Sequence, residues 1–291
     1  MTSEKIIDIL KNGKIHLSCE LFPPKQGVEL QNSLEIVNKI AASKPSYMSV
    51  TYGAGGSTVG YSAALAKKVE DNGMPALAHL TCVKADEAKL AEVLGQLQGF
   101  GVKNILALRG DIPADMQGKE IGSFAHASEL MRFVKQQGDF CVGGAAYPEG
   151  HPESGSLEQD IENTKYKVDA GVDFLVTQMF FDNTILYNYM FRLLRAGINV
   201  PVVPGIMPVT NAKQIIRICQ LSGTKLPSQF RAMVEKFADK PEALKQAGIA
   251  YATGQIIDLI ANGFDNVHIY TMNKPEIFAG IMNNLGEIVD K

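Results

Sequence analysis

Eight short apolar segments, each followed by a longer stretch of helical period, recur along the chain, and this rhythm limits the folds open to it. The segments read as strands: "HLSCELF" (16–22), "YMSVTYG" (47–53), "PALAHLTC" (75–82), "NILALRGD" (104–111), "CVGGAAYP" (141–148), "FLVTQMFF" (174–181), "VPVVPGIM" (200–207) and "NVHIYTMN" (266–273). Most starts lie roughly 25 to 35 residues apart, the spacing of a βα unit. The runs are apolar on both faces, as in a parallel sheet covered by helices. In "DEAKLAEVLGQLQGFG", Leu90, Val93, Leu94 and Leu97 make one helical face and Gly101 is a stop signal.

Eight such units predict an α/β fold, a closed (β/α)8 TIM barrel, with an open doubly wound sheet as the alternative. The first strand is not followed by G-x-G-x-x-G, which counts against a dinucleotide site of the open-sheet kind. The long interval before the last strand, "LPSQFRAMVEKFADKPEALKQAGIAYATGQIIDLIANG", holds two or three extra helices and no extra strand. Composition does not shift along the 291 residues, so residues 1–291 read as one barrel domain.

A formal charge of -3 gives no reason to expect a nucleic-acid partner. No apolar run reaches the ~18 residues of a membrane span. The start "MTSEKIIDILKNGK" reads as a short amphipathic helix and not a signal peptide, so a cytoplasmic protein with no membrane partner is expected. Cys19, Cys82, Cys141 and Cys219 are far apart and read as free thiols.

Active sites of such barrels sit on the loops after the strand C-termini. Those ends carry Glu20, Thr51, Tyr52, His79, Thr81, Arg109, Asp111, Tyr147, His151, Gln178, Asp182 and Asn273, whereas the opposite ends carry bland residues such as Asn104 and Asp139. The asymmetry points to an enzyme with a small-molecule pocket. Glu20 lies among Cys19, Leu21 and Phe22, a setting that desolvates the carboxyl, raises its pKa and suits a general acid; a rim glutamate paired with a lysine is the plain alternative. "VTYGAGGS" (50–57) reads equally as a ligand cradle or a tight turn. His79 reads as a hydrogen-bonded core histidine, and no carboxylate or second histidine stands at metal spacing, so no metal is expected. "YPEGHPE" (147–153) reads as a platform for a planar ligand or a structural loop.

Taken in order, "ELFPPK", "VTYGAGGS", "HLTC", "LRGD", "AAYPEGHPE", "KVDAGVDFLVTQMFFD", "PGIMPVTN" and "YTMNK" resemble the bacterial methylenetetrahydrofolate reductase family from about residue 14 onward. The resemblance implies an FAD-dependent barrel of one-carbon metabolism and methionine biosynthesis. Such a barrel uses NADH or NADPH, with bacterial relatives favouring NADH, to reduce 5,10-methylenetetrahydrofolate to 5-methyltetrahydrofolate. It also implies a homo-oligomer. The chain stops where the barrel stops, so the S-adenosylmethionine regulation of longer relatives is not expected.

By the same resemblance Glu20 is the general acid. Thr51, Tyr52, Ala54, His79, Arg109, Gly110, Asp111, Ala127, Tyr147, His151, Asp160 and Lys167 are FAD contacts, and Gln178 meets both nicotinamide and folate. Asp111 is implied to sit beside the pyrimidine edge of the flavin, where a carboxylate disfavours negative charge on the reduced ring and stabilises a cationic one-carbon unit. Two positions depart from the family. Ala212 replaces a phenylalanine that packs on either substrate, and Lys274 replaces an arginine facing the folate tail, keeping its charge without the bidentate fork. Other readings are a proline-dehydrogenase type of flavin barrel, a sugar-phosphate aldolase or isomerase barrel, and a non-catalytic flavin store. The residues lack a clear Schiff-base lysine or late phosphate loop, and a store leaves Glu20 without a role.

Overall fold

The strands are β1 (His16–Leu21), β2 (Met48–Val50), β3 (Ala76–Thr81), β4 (Asn104–Leu108), β5 (Cys141–Ala146), β6 (Phe174–Thr177), β7 (Val202–Val203), β8 (Gly205–Ile206) and β9 (Asn266–Ile269). The computed structural model describes residues 4–24, 30–52, 59–112 and 122–289. Every pairing is parallel, in the order β7-β6-β5-β4-β3-β2-β1-β9-β8. β7 and β8 are one stave interrupted by Pro204. Before the proline it pairs with β6 (Val203 opposite Val176), and after it with β9 (Gly205 opposite His268). That change of partner closes the ring, so the nine segments form the eight staves of a nearly closed barrel. Proline has no N–H for a ladder, and the Thr177 hydroxyl accepts the Gly205 N–H at 2.9 Å instead. Gly205 is required there: a Cβ would lie 2.4 Å from the Thr177 carbonyl oxygen and 2.6 Å from the Tyr270 ring.

Helices alternate with the strands: α1 (Ile6–Leu10), α2 (Leu30–Ala41), α3 (Val59–Asp71), α4 (Glu87–Gly99), α5 (Ala127–Gln137), α6 (Leu157–Asp169) and α7 (Asn183–Arg195). They continue with α8 (Ala212–Ser222), α9 (Ser228–Lys236), α10 (Pro241–Ala261) and α11 (Pro275–Asn284). α4 shows why the periodicity was readable. The Asp86 carboxylate caps it by accepting from Lys89 N–H at 2.7 Å, Leu90, Val93, Leu94 and Leu97 are buried, and Gly101 follows at φ +87°. Three helices, α8 to α10, fill the interval before the last strand, with a small core of their own around Phe181, Phe230, Val209 and Leu244. None of the helices among the described residues is long and apolar enough to cross a membrane.

Strand alternation divides the side chains into an outer set packed under the helices and an inner set filling the lumen. The lumen floor is apolar: Tyr47, Leu77, Leu106, Cys141, Phe174 and Val203 pack with Ile6 and Leu10 of α1, which stoppers the barrel from below. Asn104 is far from bland here. It is wholly buried, its Oδ1 accepts from Ile6 N–H at 2.7 Å, and its Nδ2 donates to the Glu4 carbonyl at 3.2 Å. Asp139 pairs with Lys5 at 2.6 Å on the same clasp. Asn104→Ala would strand buried backbone groups, so a loss of about 1–3 kcal/mol is expected. It should appear as a thermal midpoint lower by roughly 2–4 °C for each kcal/mol; an unchanged midpoint would deny the clasp.

All four cysteines are free thiols; Cys19, Cys82 and Cys141 are buried and Cys219 is half-buried. Cys82 lies one residue past β3 and outside any strand.

Candidate active site

Above the apolar floor the lumen turns polar. His268 on β9 is buried between two hydroxyls, Ser18 Oγ at 2.8 Å from Nδ1 and Ser49 Oγ at 3.1 Å from Nε2. Nearer the mouth, Glu20 and His79 face one another, Oε2 to Nε2 at 3.6 Å, with relative exposures of 8% and 7%. That separation is too long for a hydrogen bond, and His79 Nε2 has no hydrogen-bond partner. Nor is the contact an ion pair, because burial drives both groups to their neutral forms. Desolvation pushes the Glu20 pKa up to about 8 and the His79 pKa down to about 3. Glu20 is thus a protonated carboxylic acid at neutral pH. His79 is less well satisfied than a hydrogen-bonded core histidine should be.

A cleft of about 460 Å³ opens beside this lumen, at the C-terminal ends of β4 and β5 and against α5 and α6. Its size falls in the ordinary range for small-molecule sites. Gly110 forms the turn after β4 at φ +87°, a conformation that favours glycine, and a Cβ there would stand a tight 3.1 Å from Thr81 Cβ. Arg109 makes a two-pronged bond to Glu153, at 2.6 and 2.7 Å, which holds the Glu153 carboxyl below its ordinary range. Asp111 lines the cleft one residue further on.

The opposite wall is the loop after β5. The Tyr147 and His151 rings meet edge to face, with centroids 4.6 Å apart, and the Glu153 N–H donates to His151 Nδ1 at 3.1 Å. Burial raises the Tyr147 hydroxyl to about 12 and lowers His151. Burial raises the Tyr270 hydroxyl well above its ordinary range, and that hydroxyl donates to the Thr177 carbonyl at 2.6 Å.

The floor comes from α6. Asp160, Asn163 and Lys167 are three and four residues apart, which puts them on one helical face, and all three line the cleft. Lys167 Nζ donates to the Ala145 carbonyl at 2.7 Å and lies 5.5 Å from the Tyr147 ring centre; burial lowers its pKa to about 8. Asp160 is 3% exposed. Its Oδ1 accepts from Ser154 Oγ at 3.1 Å, while Oδ2 is buried without any partner. A buried acceptor of this kind calls for a donor from a ligand. The first residues of α5, Ala127 and Ser128, close the cleft and present a helix N-terminus to it, an end that favours anions. Glu129 secures that end, its Oε2 accepting from Ala125 N–H at 2.7 Å.

Of the candidate cofactor residues, the cleft therefore gathers Arg109, Gly110, Asp111, Ala127, Tyr147, His151, Asp160 and Lys167. His79 belongs to the lumen with Glu20. Thr51 and Tyr52 stand half-buried after β2; the Thr51 N–H donates to the Leu21 carbonyl at 2.9 Å, and burial raises the Tyr52 hydroxyl to about 12. Ala54 lies outside the described residues. Gln178, after β6, is half-buried and its Oε1 accepts from Met179 N–H at 2.9 Å. Lys274 precedes α11 and its Nζ donates to Thr210 Oγ1 at 2.6 Å, tying the last two rim loops together. Asp182 caps α7 by accepting from Thr184 N–H, which makes it structural. Ala212 is the first residue of α8, buried beside Val209 and Met179.

Sequence reading missed Glu153 as the partner of Arg109, and Ser154, Asn163 and Tyr166 as lining. The helical spacing from Asp160 through Lys167 would have found Asn163. His268 and Tyr270 were hidden within a strand apolar on both faces. Among the described residues no group of three or more histidines, cysteines or acids could hold a metal ion.

Together these features place a water-excluded acid at the same barrel end as a cleft lined by Arg109, Lys167, an unpartnered carboxylate oxygen and a helix N-terminus. The family model described as methylenetetrahydrofolate reductase matches residues 5–286. The Escherichia coli 5,10-methylenetetrahydrofolate reductase is 34% identical over 275 residues, covering 94% of this chain and 92% of that protein. The Arabidopsis thaliana methylenetetrahydrofolate reductase (NADH) 1 is 35% identical over 300 residues, 98% of this chain; the chain spans about half (50%) of that plant relative's length. Among solved structures, a Clostridium thermocellum protein described as binding two copies of 5-methyl-5,6,7,8-tetrahydrofolic acid superposes with a TM-score of 0.64. It is 15% identical and covers 94% of this chain and 95% of that one, a likeness of fold.

Proposed function

The chain belongs to the methylenetetrahydrofolate reductase family, and from that premise we propose that it reduces 5,10-methylenetetrahydrofolate to 5-methyltetrahydrofolate with NAD(P)H through bound FAD. The observation that carries this reading is the neutral, buried carboxyl of Glu20 near the C-terminal end of β1, the same end of the barrel as the Arg109–Lys167 cleft after β4 and β5. NADH is the preferred donor on this reading, in line with the plant relative's name. The whole chain acts as a single catalytic barrel.

The cleft fits FAD. The unpartnered Asp160 Oδ2 suits a hydroxyl of the cofactor's sugar chain, and Gly110 gives a ring system close access to the main chain. Arg109, Lys167 and the α5 N-terminus supply positive potential for its diphosphate. Thr51, Tyr52, Ala54, His79, Ala127, Tyr147 and His151 complete the proposed contacts. Bound FAD supplies the hydride relay between nicotinamide and folate.

The chain's own work concerns the folate. Glu20 gives its proton to N10; the bond from N10 to the bridging carbon breaks with its electron pair going to N10, leaving an iminium cation at N5. Hydride then adds to that carbon and makes the methyl group. A proton delivered in this way is typically worth ~10²–10⁴ in rate. Asp111 supplies a negative charge beside the cationic carbon, Gln178 orients either substrate, and Lys274 meets the folate's carboxylate tail.

The test is anaerobic mixing in two steps after loading with FAD. NADH should bleach the flavin, and methylenetetrahydrofolate should restore its colour with 5-methyltetrahydrofolate as product. A protein that takes up no flavin, or whose reduced flavin ignores the folate, sinks the reading.

A further inference from the structure

The chain direction at the end of β9 is unusual. Met272 and Asn273 are consecutive and both left-handed, at φ +54° and +58°, a region costly for L-residues other than asparagine and aspartate. Of the non-glycine residues with positive φ among those described, only these two adjoin. Backbone strain of this kind persists where the surroundings hold it and is a reason to look for a role.

The role is visible in the pairing of β1. Its ladder with β9 ends at Cys19 opposite Ile269, one residue short of Glu20. β9 has by then turned toward β8, the Tyr270 N–H donating to the Ile206 carbonyl at 2.9 Å. Side chains take over. Thr271 Oγ1 donates to the Glu20 carbonyl at 3.2 Å, and the Asn273 carboxamide bonds Phe22 in both directions, accepting from its N–H and donating to its carbonyl, each at 2.8 Å. The left-handed pair is what turns the Asn273 amide onto Phe22. On the far side β1 still pairs with β2 through Leu21 opposite Val50. The backbone carrying Glu20 is therefore clamped from both flanks, on one of them by a turn whose next residue is Lys274.

We propose that Asn273 is a positioning residue for the acid: its carboxamide continues the sheet past Glu20 and keeps that carboxyl in its water-excluded place. This rests on the reading of Glu20 as the proton donor. The titratable groups around the carboxyl are His79 from β3, Tyr270 at the end of β9 and Cys19 beside it in β1, with His268 below His79. None is a lysine or arginine, so the neutral form of Glu20 is kept by exclusion of water, and a loosened clamp admits water.

The test uses FAD-loaded enzyme carrying Asn273→Asp, which keeps the left-handed turn but sets a carboxylate against the Phe22 carbonyl, and Asn273→Gly, which keeps the turn and removes the clamp. In both, folate reoxidation of the reduced flavin should slow by roughly 10- to 100-fold, the scale of a misplaced catalytic group. Flavin reduction by NADH should be unchanged. The high-pH limb of the folate step should shift downward by about a unit as Glu20 becomes hydrated. The infrared band of the protonated Glu20 carboxyl, assigned by its loss in Glu20→Gln, should weaken at neutral pH.

A wild-type rate, limb and carboxyl band in both variants overturns the proposal. So does equal slowing of both half-reactions, or loss of FAD from both variants, since these would make the clamp merely structural. A Glu20→Gln enzyme that reoxidises at the wild-type rate sinks instead the reading beneath it.

Discussion

Glu20→Gln should leave flavin reduction by NADH near the wild-type rate and slow reoxidation by methylenetetrahydrofolate by ~10²–10⁴, the usual worth of general acid catalysis. The substitution keeps the volume of the side chain that faces His79 in the lumen, leaves Cys19 and Leu21 packed under the helices, and removes the transferable proton. Glutamine has no acidic proton to give N10, and His79 cannot stand in, because burial lowers its pKa to about 3 and it carries no spare proton at neutral pH. The water that might replace it is kept out by the same burial that makes Glu20 neutral. Each half-reaction is measured separately by anaerobic stopped flow. Folate reoxidation within threefold of wild type would remove Glu20 from the chemistry.

Asp111→Asn is the second large effect, and its signature lies in the ratio of the two half-reactions. At ~4 Å and an effective dielectric of ~20, one charge is worth about 4 kcal/mol. Asp111 is exposed on the cleft wall, so water and salt reduce this to roughly 1–2 kcal/mol, about five- to thirtyfold in rate. Removing the charge makes the reduced flavin easier to form and a poorer hydride donor. The midpoint potential should rise by about 30 mV, which for a two-electron couple is about 1.4 kcal/mol. It also strips stabilisation from the cationic one-carbon unit. Folate reduction should therefore slow markedly while NADH oxidation does not. Equal slowing of both steps with an unmoved potential would contradict the role.

The barrel was legible because parallel staves buried on both faces leave uninterrupted apolar runs, and each of the eight runs became a stave. The break of the seventh at Pro204 was not legible: a proline in an apolar run does not reveal that its two sides pair with different neighbours, β6 and β9. Glu20 stood out because one carboxyl among apolar neighbours is conspicuous, and burial shifts it in the expected direction, to about 8. The cleft residues of the β4 and β5 loops were readable from their place after strands. The contributions of α6 were not, because polar residues on a helix look the same whether they face water or a ligand; Asp160 and Lys167 were named through the family resemblance alone. Long-range side-chain bonds leave no local trace. Asn104 grips α1 across 98 residues and Asn273 grips Phe22 across 251, and neither stretch hints at its partner.

The most direct measurement is the pH dependence of folate reoxidation in the wild-type, FAD-loaded enzyme, followed in a single turnover from the reduced state. The proton-bearing form of Glu20 is the active one and its pKa is raised to about 8. The rate should hold level through neutrality and fall tenfold per pH unit above that value, a limb absent from NADH-driven flavin reduction and from Glu20→Gln. A folate rate that stays level through alkaline pH, or that falls with the ordinary carboxylate pKa near 4.3, would contradict a buried neutral acid as the source of the proton.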